Sequence, residues 1–217
     1  MQNIFDFLKA LTTNNNRDWF LANKEQYQLA KDTYTQFIKK MILEIAKFDP
    51  AVMDLKPKDC IFRINRDVRF SNNKNPYKTN FGAAITPGGK KALLPTYYIH
   101  LEPGLSFVAG GLYQPDADIL NKVRQEIDYH SDEFKSIVQK ADFLKTFTEL
   151  AGEKLKKAPK GYPKDHSEIE WLKHKSFIVQ RKLTNDIFIG SNPEKLVSSY
   201  FKVLYPLNQF LTRAISE

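Results

Sequence analysis

The chain has 217 residues, 42% of them hydrophobic and 27% charged, with a formal net charge of +8. This composition excludes a disordered or fibrous protein and is enough for one hydrophobic core, so a single domain over residues 1–217 is expected. The single cysteine, Cys60, excludes an internal disulfide and a multi-cysteine zinc site, and no apolar run is long enough to span a bilayer. With no basic stretch leading into an apolar one near Met1, a cytoplasmic protein without a membrane partner is expected.

Residues 4–11 read as a short helix, broken by Asn14, Asn15 and Asn16 ahead of Trp19, which is expected to pack on the helix that follows. Asn23 and Gln26 have the spacing of a capping box, and Tyr27, Ala30, Tyr34, Phe37, Met41, Ile45 and Phe48 form one apolar stripe that Pro50 closes. The pattern then changes to β. Residues 60–65, 80–86, 96–102 and 105–110 are short β-rich runs, with turn chemistry at Pro87-Gly88-Gly89 and Pro103-Gly104. In the third run Tyr97, Ile99 and Leu101 share one face, while Tyr98, His100 and Glu102 share an unusually polar one.

Pro115, Asp116 and Asp118 open another helix, with Val123 and Ile127 inward and Arg124 flanking the stripe. Ser131 is placed as the cap of a helix reaching residue 140, and Phe143, Phe147 and Leu150 continue helically to Gly152. A loop over residues 156–163 leads to a short helix at 167–174 and a strand near residues 176–183. Pro193 starts a terminal helix that Pro206 should kink. The expected fold is α+β: a mainly antiparallel sheet of hairpins, about residues 60–111 plus the strand near 176–183, packed by long helices.

Standard catalytic motifs are absent. The pairs Gly88-Gly89 and Gly110-Gly111 fit neither a phosphate loop nor a dinucleotide fingerprint. Cys60, beside Ile61 and Phe62, reads as a buried, inert thiol. The four histidines are scattered, so no metal site and no cofactor is expected. His100 and Glu102 are the candidate acid and base, and equally a hydrogen-bonded structural pair, so the residues do not decide whether the protein is an enzyme.

Charge is concentrated in two windows: residues 56–80 carry a net +5 and residues 154–182 a net +6. The first contains Arg63, Asn65, Arg66, Arg69, Ser71, Lys74, Tyr77 and Lys78, whose guanidinium forks and neutral hydrogen-bonding groups suit phosphate or carboxylate. These residues, with Arg124, form the candidate ligand site. Arg63, Arg66 and Arg69 are expected to carry most of any anion affinity, and the lysines of 154–182 a diffuse attraction. Three readings stay open: an anionic small-molecule binder, a nucleic-acid binder whose bases stack on Tyr77, Phe81 or Tyr98, and a scaffold protein with internally paired charges.

Nearly the whole chain resembles a bacterial family of conserved hypothetical proteins, a domain of unknown function. The resemblance rests on Asn15 to Phe20, Phe62 to Ser71, Pro76 to Asn80, Tyr98 to Glu102, Gly110 to Tyr113, Val123-Arg124 and Pro159 to Tyr162. It implies a cytoplasmic α+β domain and assigns no catalytic residue.

Overall fold

A computed structural model of the chain describes residues 1–216. Among them are ten α-helices and a four-stranded antiparallel sheet of order β1-β2-β3-β4, an α+β fold. The strands are β1 (Phe81–Ile85), β2 (Thr96–Leu101), β3 (Phe107–Leu112) and β4 (Phe177–Lys182). The chain forms two compact units, one of residues 1–91, 98–108 and 182–198, the other of 92–97, 109–181 and 199–216.

In the first unit α1 (Gln2–Thr13) packs along α3 (Lys24–Ala46), burying Ile4, Phe7, Leu8 and Leu11 against the α3 stripe. Tyr34 of α3 stacks on Phe81 of β1 at 5.3 Å, and its hydroxyl donates to the Ile99 carbonyl at 3.4 Å. Between these helices lies α2 (Arg17–Ala22), where Trp19 meets Phe7 of α1 and Phe20 is the ring that reaches Tyr27 of α3. Asn23 does not cap α3 through its side chain. Its amide donates instead to the Trp19 carbonyl, because the same residue ends α2.

Residues 60–65, expected as a strand, start at the last residue of a helical turn and continue as an irregular ribbon. Pro57 pre-sets the first residue of α4 (Pro57–Cys60), and Cys60 is buried at its end. Burial pushes the Cys60 thiol up to about 11. From Ile61 the chain pairs antiparallel with residues 76–83 only at points: bridges Ile61 to Ala83 and Asn65 to Tyr77, and Phe62 N donating to Gly82 O. Pro76 has a carbonyl, which accepts from Arg66 N, but no N–H to continue the ladder.

In the second unit Tyr97 meets Phe201 of α10 (Pro193–Ser216), and Pro206 lies within that helix. Gly110 and Gly111 are strand residues of β3. A Cβ on Gly110 would overlap Leu204 and the Thr96 carbonyl, and one on Gly111, whose φ is +97°, would overlap the Phe177 carbonyl of β4. α5 (Ala117–Tyr129) is capped by Asp116, as the acidic opening suggests. Ser131 lies inside α6 (Ser131–Val138), because α5 runs straight into it with His130 as the junction. α7 (Ala141–Phe147) stops at Thr148, where φ is +70°, short of the expected Gly152. The remaining helices are α8 (Ile169–Leu172) in this unit and α9 (Asn185–Ile189) in the first.

Candidate functional site

Alternation along β2 buries Tyr97, Ile99 and Leu101 and leaves Tyr98, His100 and Glu102 half-buried on the opposite face. The three are joined in a chain of hydrogen bonds. Tyr98 Oη lies 3.2 Å from His100 Nδ1, and Asn80 Nδ2 approaches the same nitrogen at 3.4 Å. An amide NH2 can only donate, so this geometry assigns Nδ1 as acceptor and places the ring proton on Nε2, which donates to Glu102 Oε2 at 3.0 Å. Thr79 Oγ1 donates to the other Glu102 oxygen at 2.6 Å. The imidazole also stacks on Phe107 of β3, with centroids 4.5 Å apart. Burial, and after it the Glu102 charge, raises the Tyr98 pKa, which keeps the phenol a proton donor. Gly82 leaves room for it, since an added Cβ would come 2.8 Å from Tyr98 Oη. Both His100 nitrogens are therefore engaged within the fold.

The basic ribbon borders this face. Phe62 meets Tyr98 at 6.3 Å, and Lys78 Nζ sits 5.6 Å above the Phe62 ring. Arg63 is exposed and has no hydrogen-bond or ion-pair partner among the described residues. Burial, then the nearby Arg63 charge, holds the Lys78 ammonium below the usual lysine range.

The other arginines are occupied. Arg66 donates to the Asn75 carbonyl at 3.1 Å and to Ser71 Oγ at 3.3 Å. Arg69 forks onto Asp67 at 3.0 and 2.7 Å, and these bonds hold that carboxyl below its ordinary range. Lys74 Nζ donates to the Val68 carbonyl. Asn65 is exposed beside the ribbon, whereas Tyr77 is buried, stacked on Phe20 at 4.0 Å and clamped through its backbone by Asn15. Phe81 is buried too. Of the three rings expected to stack on bases, only Tyr98 is half-exposed.

Arg124 belongs to the second unit, where it is 6% exposed and donates to the Leu172 and His174 carbonyls at 2.8 and 3.3 Å. It ties α5 to the segment before β4. The structure thus pairs His100 with Glu102, sets Lys78 near Arg63, and uses Arg66, Arg69, Ser71 and Lys74 to shape the loop between residues 63 and 78. The sequence reading did not single out Asn80 and Phe107, which position His100. Their signal was the parity of β3, which puts Phe107 opposite buried Val108.

Among the described residues no three His, Cys, Asp or Glu gather as metal ligands, and no helix is long and apolar enough to cross a membrane. A family model described as Conserved hypothetical protein (DUF2461) matches residues 3–210. No curated protein and no solved structure matches the chain.

Proposed function

We propose the following reading for this chain, which belongs to that family of conserved hypothetical proteins: it binds a small phosphate- or carboxylate-bearing ligand at the base of the 63–78 ribbon. One observation supports it above the rest. Arg63 and Lys78 lie close enough for one charge to depress the other, and among the described residues neither is hydrogen-bonded or ion-paired to a carboxylate, although the Arg63 charge reaches Asp67. Like charges set together, with the nearby Asp67 already taken up by Arg69, are a standing cost, which a bound anion removes. The arginine supplies a planar fork, the lysine a point charge over Phe62, and the half-exposed Tyr98 face supplies one wall.

Calorimetric titration with inorganic phosphate, pyrophosphate and citrate at low salt tests this. Arg63→Ala and Lys78→Ala should each weaken the best ligand about tenfold, the size of one lost charge-assisted hydrogen bond. Arg69→Ala should cost less, because Asp67 already answers that charge. The depressed Lys78 loses its proton earlier than an ordinary lysine as pH rises. Affinity should therefore fall on the alkaline side in the parent protein and persist in Lys78→Arg. Absence of binding at low salt, or equal affinity in all variants, refutes the reading.

A further inference from the structure

Phe70 is 96% exposed, at the tip of a loop that is otherwise held down. Ser71 N donates to the Val68 carbonyl, closing a turn around Arg69 and Phe70. Arg66 crosses to Asn75 and Ser71, Lys74 reaches back to Val68, and Asp67 holds both the backbone N–H and the guanidinium of Arg69. Asn73 Oδ1 accepts from Asn75 N. These braces fix the loop in a shape that holds the ring outward in water, where its only close partner among the described residues is Arg69, 5.8 Å from the centroid. An aromatic ring presented on a preorganised loop loses little freedom when a partner covers it.

The surroundings say which partner. From residue 66 to 75 three cations, Arg66, Arg69 and Lys74, face one carboxylate, Asp67, so the partner is acidic. Ser71, Asn72, Asn73 and Asn75 follow the ring in the loop with polar side chains, leaving an apolar surface too small to hold a bilayer, which takes an amphipathic face or a second anchor. One ring with amides and cations around it is instead what an unstacked base and its phosphates require.

We infer that the 67–75 loop is a contact site for single-stranded nucleic acid, in which Phe70 stacks on a base and the surrounding cations meet the flanking phosphates. The inference rests on Phe70 and not on the Arg63 and Lys78 site, so either can fail without the other.

The test is fluorescence anisotropy of labelled oligouridylate and oligothymidylate against the parent chain, Phe70→Ala and Phe70→Trp, at low and raised salt. Phe70 makes no core contact, so both variants should melt like the parent. The parent should bind, losing affinity steeply with salt. Phe70→Ala should weaken binding about tenfold, and Phe70→Trp should retain it with its indole emission quenched by the oligonucleotide. The inference is overturned if the parent does not bind at low salt or if Phe70→Ala binds as the parent does. It is equally overturned if Phe70→Trp emission responds to phosphatidylglycerol vesicles or to polyglutamate but not to oligonucleotides.

Discussion

Around the ribbon of residues 62–80, Arg63 and Lys78 have no carboxylate partner among the described residues, and Arg66 and Lys74 are held by loop carbonyls and a hydroxyl. In the second unit several cations are answered by carboxylates: Arg213 by Glu126 and Glu133, Lys135 by Glu168, Lys173 by Glu170, Lys175 by Glu153. The two basic windows differ by one in net charge. What separates the Arg63 and Lys78 pair from Arg213, Lys135, Lys173 and Lys175 is how far each charge is already satisfied, and a spare cation is worth more to a ligand than a paired one.

The comparison breaks most visibly at Arg213. Its guanidinium bridges Glu126, only 7% exposed at the side chain, to Glu133, and the two carboxylates raise its pKa. Arg213→Ala would leave Glu126 without a guanidinium, with the His130 ring nitrogen 4.0 Å away. A loss of about 3 kcal/mol in denaturant unfolding is expected, with anion affinity unchanged. If affinity fell while the fold held, the division between structural and spare charge would be wrong.

Somewhat smaller is the effect of acid on His174, which is 1% exposed and has no hydrogen-bond partner on Nδ1 among the described residues. Burial, with the Lys154 charge second, pushes its pKa from 6.5 down to about 4. Between those values the unfolded chain takes up a proton that the folded one refuses, so stability falls as pH drops through that window and this contribution levels off below it. The total is at most about 3 kcal/mol. His174→Phe should remove the slope. The carboxylates held low by Arg69, Arg213 and Lys175 titrate in both proteins, so the difference between the two unfolding curves isolates the histidine.

The smallest expected effect sharpens the comparison from the other side. Lys157 is exposed on the 156–163 loop, and Lys157→Ala should change stability by less than about 0.5 kcal/mol and pyrophosphate affinity hardly at all. An effect equal to that of Arg63→Ala would mean that diffuse charge, not a local pair, sets the affinity.

Alternation and turn chemistry made β1, β2 and β3 legible, and the two faces of β2 could be assigned from parity alone. The 3.6-residue stripes gave α3, α5 and α10. Residues 60–65 misled because their alternation is real while their pairing is interrupted: Pro57 makes a helical turn just before, and Pro76 withholds a donor across the ribbon. At the site, the basic segment and the direction of His100 and Glu102 were readable. The fate of each arginine was not, because it depends on Asn75 O, Ser71 Oγ and the Leu172 and His174 carbonyls, groups that carry no charge and so leave no trace in a charge count. Phe70 was hidden for a related reason. An apolar residue among strands looks like core until the turn that expels it is seen.

Cys60 closes α4 with no surface exposed and a thiol that remains protonated at neutral pH. The natural chain is therefore silent to maleimides and other thiol-seeking dyes without any cysteine having to be removed. A cysteine placed at Asn72, exposed beside Phe70, would be the one reactive sulfur, so a fluorophore or spin label could report from the loop tip in an otherwise unaltered protein.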